Sequence, residues 1–221
     1  MEPLNNCHQF FQSRGIPKEF VAFSTDDYIG DYSEALAEIG AVNPQFFTNL
    51  QHSLNLIFNT NIENIDGYVL QGCNGCGKTG WASALIREAL LRGINSLMIS
   101  MPGMIDEYYN SPAKKLNPDY AHTDILVIDE VGKELQKNTS FSILERVLLH
   151  RHNAGKKTIL ISNMSIDSMV NLYGATVKSR LNLFKSIVFP VIDFRRSIKT
   201  SLQTNTINNN GKKETTIIEE F

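Results

Sequence analysis

An α/β fold, one parallel sheet covered by helices on both faces, is predicted by three features of this 221-residue chain. Short apolar runs recur after residue 66, at SLMISM (Ser96–Met101), ILVID (Ile125–Asp129), TILIS (Thr158–Ser162) and SIVFPV (Ser186–Val191). They are apolar throughout rather than alternating, as strands buried on both faces are. Segments with apolar residues at helical spacing lie between them, and strands separated by helices form parallel sheets. The third feature is a glycine-rich loop, GCNGCGKT (Gly72–Thr79), set between a short apolar run, YVL, and a helical pattern.

The elements follow in order. Pro44–Phe58 reads as an amphipathic helix through Phe46, Phe47, Leu50, Leu54 and Ile57. After the loop, TGWASALIREALLRG places Trp81, Leu85, Ile86, Ala89 and Leu90 on one helical face, with Gly93 as a stop. Ser140–His152 repeats Phe141, Leu144, Val147 and Leu148 at helical spacing, and Gly155 ends the run. The organisation expected is a short leader (1–20), one core (21–200) and a polar, asparagine-rich, disordered tail (201–221).

Composition narrows the class. With 42% hydrophobic residues the chain is large enough for one α/β core and too small for two large domains. Its 21 basic and 23 acidic residues leave it nearly neutral, so any nucleic-acid contact must come from a local patch. No apolar run is long enough to span a bilayer, and the N-terminus lacks the pattern of a secretion signal. Three cysteines without a disulfide-like framework indicate a reducing cytoplasm.

The loop has two readings. Cys73-x-x-Cys76 could be half a zinc site or a redox pair, but no second such pair exists, and His52, His122, His150 and His152 do not complete a ligand set. The same letters satisfy G-x-x-x-x-G-K-[ST] at every fixed position. In that reading Gly72, Asn74, Gly75, Cys76, Gly77, Lys78, Thr79 and Gly80 wrap a nucleotide's phosphates with backbone N–H groups and the following helix's N-terminus. Lys78 holds the β- and γ-phosphates and the Thr79 hydroxyl a Mg²⁺ ion. The phosphate reading is preferred because strand and helix flank the loop correctly.

A second motif, DILVIDEVGKE, ends a buried strand in Asp129 and Glu130. Open parallel sheets bind ligands at the C-terminal ends of their strands. There Asp129 would hold the Mg²⁺ and Glu130 would polarise the attacking water. A helix-capping acid pair is the alternative, disfavoured once a phosphate loop precedes it. The next strand ends in Ser162 and Asn163, whose amide suits either a turn or the orientation of water at the γ-phosphate. Arg180, on a helical pattern, suits a solvated surface on sequence grounds alone.

RGIPKEF (Arg14–Phe20), the phosphate loop, ILVIDEVG, HRHNAGKKTILISN, VKSRL and FRRS occur in this order and spacing. Over about Arg14 to Arg196 the chain thereby resembles the AAA+ ATPases of the DnaC/DnaI helicase-loader type, with IstB-type transposition ATPases as near relatives. The resemblance implies an ASCE-type five-stranded parallel sheet, flanked by helices, in which the strand before Asn163 lies between the phosphate-loop strand and the Asp129 strand. It implies Asn163 as the first sensor and Arg180 as a finger reaching a neighbouring subunit's ATP. Lys78, Glu130, Asn163 and Arg180 then form the catalytic set, Thr79 and Asp129 the metal pair, and the chain a homo-oligomer when ATP-bound.

Such loaders carry an extra helical element after the second strand. In this chain that region, MPGMIDEYYNSPAKKLNPDYAHTD, offers Tyr108, Tyr109 and Tyr120 with Lys114 and Lys115. These are the ingredients of single-stranded DNA binding, and equally of a solvated loop with core-facing tyrosines. Its prolines allow a short helix followed by a loop.

One departure accompanies the resemblance: only about twenty residues precede the core where loaders carry a helicase-gripping domain, while the expected lack of a C-terminal lid domain agrees with the loader type and not with initiator proteins. The leading expectation is an ATP-dependent replication protein that assembles on single-stranded DNA and delivers or remodels a replicative helicase. The alternatives are an IstB-like ATPase that binds duplex DNA and recruits a transposase, and a nucleotide-dependent binding module whose hydrolysis is vestigial.

Overall fold

Five strands make one sheet: β1 (Gly67–Gln71), β2 (Ser96–Ser100), β3 (Ile125–Val131), β4 (Lys157–Ser162) and β5 (Phe184–Val188). They pair in the order β2-β3-β4-β1-β5, every pairing parallel. β4 separates β1 from β3, as the resemblance implies. The computed structural model describes residues 2–38, 40, 43–58, 65–133 and 137–193, with the pairs 206–207 and 213–214.

Successive residues of each strand point to opposite faces, and the apolar runs feed two cores. Tyr68, Leu70, Ile125, Val127, Ile159 and Ile161 enter one; Val69, Leu126, Ile128 and Leu160 enter the other. The first is covered by α1 (Glu2–Ser13), a 3-10 turn (Lys18–Phe20), α2 (Thr25–Glu38), α3 (Pro44–Phe58) and α4 (Lys78–Leu91). The second lies under α5 (Met101–Asn110), α6 (Asp119–His122), α7 (Lys137–Asn153) and α8 (Ile166–Leu181).

α4 departs from the one-faced helix that its pattern predicts. Gly80, Trp81, Ala82, Ser83, Ala84, Leu85, Ile86 and Ala89 are all buried, because α2 and α3 pack over the side turned away from the sheet. Gly80 falls outside the apolar face counted by periodicity, yet it lets α2 approach, since a Cβ there would stand 3.3 Å from the Tyr28 ring. Trp81 is anchored there, its indole N–H donating to Ser53 Oγ at 3.0 Å.

The first twenty residues join the same core through Phe11 and Ile16. Arg14 and Gly15 lie along the outer edge of β2. The Met98 N–H donates to the Arg14 carbonyl at 2.9 Å and Arg14 Nε to the Ser96 carbonyl at 2.8 Å, which covers an edge that would otherwise invite pairing. Gly15 has φ 85°, and a Cβ there would stand 1.8 Å from the Met98 carbonyl oxygen.

Two strands, β5 and β3, depart from their apolar runs by two residues or more at an end. β5 begins at Phe184 rather than Ser186 and ends at Val188; one further bond, Phe189 N–H to the Gln71 carbonyl at 2.7 Å, precedes Pro190, which has no N–H to give. β3 continues past Asp129 to Val131 through a bulge, since Ile128 pairs with Leu160 but Val131 with Ser162. Thr206–Ile207 and Lys213–Glu214 pair antiparallel. The rest of 194–221, with the FRRS motif, most of the tail expected to be disordered and the region where a lid would fall, lies outside the described residues.

Candidate nucleotide site

β1 delivers the loop to the C-terminal end of the sheet, and α4 begins at Lys78 with Gly77 as its N-cap at φ 91°. A cavity of about 820 Å³ opens above it, lined by the loop from Asn74 to Gly80 and by Asp129, Glu130, Lys133, Ser162 and Asn163. The ends of β1, β3 and β4 thus bring together the loop, the acid pair and Asn163.

Lys78 is nearly buried, 6% exposed, and its ammonium donates to the carbonyls of Gly72 (2.8 Å) and Cys73 (2.7 Å) and to Asn163 Oδ1 (3.0 Å). Asn163 Nδ2 in turn donates to Asn74 Oδ1 at 2.7 Å. One amide therefore ties the lysine to the far side of the loop. Beside them Thr79 Oγ1 donates to Asp129 Oδ2 at 2.8 Å, while Asp129 Oδ1 accepts the Glu130 N–H at 2.6 Å. Burial raises the Asp129 carboxyl above its ordinary range, partly offset by these two hydrogen bonds.

Glu130 sits on the bulge with φ 60°. A left-handed backbone is uncommon for a side-chain-bearing residue and concentrates at functional sites. It lets two adjacent acids diverge, Asp129 toward Thr79 and Glu130 toward Lys133, whose ammonium lies 2.9 Å from Glu130 Oε1. Both partners of that pair are over 40% exposed, so it positions more than it stabilises.

The cysteines have separate fates. Cys73 is exposed and Cys76 buried, and both are free thiols. Burial pushes the Cys76 thiol up against the opposing pull of the Lys78 ammonium. Among the described residues no group of three or more His, Cys, Asp or Glu side chains could hold a metal ion.

Arg180 is half-exposed near the end of α8 and is not among the residues lining the cavity. Of the two readings left open for the tyrosines, Tyr120 takes the core-facing one. It is 2% exposed, its hydroxyl donates to Glu107 Oε2, and it offers no stacking face. Tyr109 remains outside, 43% exposed, with Lys114 Nζ 5.9 Å from its ring centroid. Tyr108 is half-buried against the second core, and Lys115 is exposed.

Sequence reasoning missed Glu19, Phe20, Phe23 and Lys133 as cavity residues. It missed also Tyr28 and Tyr32 of α2, whose hydroxyls donate to the loop carbonyls of Gly77 (2.9 Å) and Cys76 (2.8 Å). Glu19 and Phe20 had a signal as the last letters of RGIPKEF, and Lys133 as part of DILVIDEVGKE; Phe23, Tyr28 and Tyr32 had none.

A parallel sheet in this strand order, with a phosphate loop after β1 and an acid pair on β3, defines a P-loop nucleotide-binding protein of the AAA+ type. The chain belongs to the IstB-like ATP binding proteins, whose family model matches residues 48–180. It is 31% identical over 130 residues to the replicative helicase loader DnaC of Escherichia coli strain K12, covering 56% of this chain and 53% of that protein. The chain thus spans about half the length of the curated relatives it matches. The crystal structure of the DnaC helicase loader superposes with a TM-score of 0.58 at 20% identity, covering 67% of this chain and 92% of that one. The replication initiator DnaA bound to AMPPCP and single-stranded DNA gives a TM-score of 0.57 at 17% identity, covering 72% and 50%. Among the described residues no helix is long and apolar enough to cross a membrane.

Proposed function

We propose that this chain is a cytoplasmic ATPase that assembles with copies of itself on single-stranded DNA and delivers or remodels a replicative helicase. The observation that carries the ATPase reading is the linked set Asn74–Asn163–Lys78 beside Thr79–Asp129 in one cavity. Lys78 now spends its donors on two loop carbonyls and Asn163, so turning to the β- and γ-phosphates exchanges hydrogen bonds rather than losing them. The Thr79 hydroxyl and Asp129 carboxylate are oxygen donors of the kind Mg²⁺ takes, and Mg²⁺ bound there would neutralise phosphate charge. Glu130 leaves Lys133 to orient and deprotonate the attacking water, and Asn163 aligns that water with the γ-phosphate. Phe20 and Phe23 supply the apolar wall for the base.

Arg180, outside its own chain's cavity, acts on a neighbour's nucleotide, which makes turnover depend on assembly. The helicase as client is supported by the likeness to DnaC. Tyr109, Lys114 and Lys115, with Tyr108 behind them, supply a stacking face and phosphate-neutralising charge for a single strand. The family's IstB-like description favours a second reading, an ATPase that binds duplex DNA and recruits a transposase.

ATP turnover measured alone, with single-stranded DNA and with duplex DNA separates the readings, together with pulldown of a hexameric helicase against a transposase. Stimulation by single strands and capture of the helicase are expected. Stimulation by duplex and capture of the transposase would transfer the protein to the second reading, and nucleotide binding without turnover under every condition would leave a binding module. Glu130→Gln should bind ATP as the parent does and turn it over at least about a hundredfold more slowly; parent-like turnover removes Glu130 as the base.

A further inference from the structure

Tyr28 and Tyr32 stand one helical turn apart on α2, both fully buried, their rings stacked with centroids 5.3 Å apart and planes 19° apart. Their hydroxyls reach two consecutive peptide units of the loop: Tyr32 donates to the Cys76 carbonyl at 2.8 Å and Tyr28 to the Gly77 carbonyl at 2.9 Å. A trans peptide is planar, so its C=O and N–H point in opposite directions. Holding the Cys76 carbonyl toward α2 turns the Gly77 N–H away from it, and holding the Gly77 carbonyl does the same to the Lys78 N–H. Cys76, Gly77 and Lys78 line the cavity, and neither Tyr28 nor Tyr32 is among its lining residues.

We propose that Tyr28 and Tyr32 are positioning residues for nucleotide binding, a clamp that sets two peptide planes so that the Gly77 and Lys78 amides face the phosphates before a nucleotide arrives. This rests on the reading of Gly72–Thr79 as a phosphate loop. Three further observations agree with it. Burial drives both phenols well above their ordinary range, so they stay protonated and remain donors. Gly77 is what lets the two tyrosines come this close: at φ 91° a Cβ there would stand 2.4 Å from Tyr28 Oη and 2.9 Å from Tyr32 Cε2. The Gly77 carbonyl also accepts the Trp81 N–H at 3.0 Å, so the plane set by Tyr28 is shared with the first turn of α4. Amides oriented in advance need no reordering when the ligand binds, and that is where affinity is gained.

The test is calorimetric titration of ATP, ADP and AMP into the parent, Tyr28→Phe, Tyr32→Phe, the double variant and Lys78→Ala, with thermal melts alongside. Phenylalanine keeps the stacked rings and removes only the two donors. The expected result is a folded double variant whose ATP and ADP affinities fall about tenfold, with AMP affinity changed less because the amides address the β-phosphate. A fall in melting temperature with parent-like ATP affinity, while Lys78→Ala has lost binding, overturns the clamp and leaves the phosphate loop standing. Parent-like affinity in Lys78→Ala overturns the loop reading and the clamp with it. Should the double variant not fold, Tyr32→Phe alone decides: weakened ATP and ADP binding supports the clamp, and unchanged binding sinks it.

Discussion

Asp129 shows how a single residue of this site is set against stability. Its carboxyl is held above its ordinary value of 3.8, chiefly by burial, so the folded chain binds that proton more tightly than the unfolded chain does. The ionised form at neutral pH therefore opposes folding of the nucleotide-free protein. That opposition fades as pH falls through the raised value, and below 3.8 both states carry the proton. Asp129→Asn keeps an acceptor for the Glu130 N–H without the buried charge. It should melt higher than the parent at about pH 7, with the difference shrinking toward about pH 4. Melting curves across that range check the sign, and an unchanged or lowered melting temperature at neutral pH would mean that the Thr79 contact outweighs burial.

At the scale of elements, the N-terminal segment decides how well the site is supported. It covers the outer side of α4, seals the edge of β2 and carries the tyrosine pair. Gly15→Ala drives a Cβ to 1.8 Å from the Met98 carbonyl at a backbone angle alanine resists, so the strap must lift from β2. A loss of about 2 kcal/mol or more is expected, a drop of about 4–8 °C in melting temperature for a chain of this size. Gly30→Ala is the counterpart: Gly30 lies inside α2, and a Cβ there would meet nothing within 4 Å, so alanine should stabilise by up to about 1 kcal/mol. Opposite shifts from the same substitution would tie stability to the strap rather than to glycine content. On the other face, buried Arg151 plays the comparable part, donating to the Tyr120 and Thr123 carbonyls and to Thr158 Oγ1, each at 2.9 Å, and so binding α6 and the start of β4 to α7.

For the whole molecule, the decisive question is whether one chain holds a complete site. Arg180→Ala should bind ATP about as well as the parent, because its own loop is intact, and fail to hydrolyse it. Lys78→Ala fails for the opposite reason, lacking nucleotide while keeping its arginine. Mixing the two inactive variants creates some interfaces where an intact loop meets an intact Arg180, so partial ATPase activity should return and rise with protein concentration. No recovery in mixtures shown to co-assemble would confine Arg180 to its own chain or to the surface.

The alternation of strands and helices after residue 66, the phosphate loop and the acid pair were legible in the sequence because each is a local pattern, whereas α1 and α2 were not read from it. Apolar runs need only burial on both faces, and Gly72–Thr79 needs only glycines, a lysine and a hydroxyl at fixed spacing. What lay out of reach was every contact made across the chain. Tyr28 and Tyr32 lie 49 and 44 residues before the carbonyls they bond, and nothing in TDDYIGDY distinguishes two clamping hydroxyls from ordinary core tyrosines. By letter alone Tyr109 and Tyr120 suited a stacking face or the core equally, and only packing buried one and left the other outside. The bulge that parts Asp129 from Glu130 depends on the register against β4. Sequence by itself determined which chemistry the loop and strand ends can support, since backbone periodicity and side-chain type are local properties. Tertiary structure decided which carbonyls, rings and ammonium groups meet, because those distances exist only after α2, α4 and the sheet have packed.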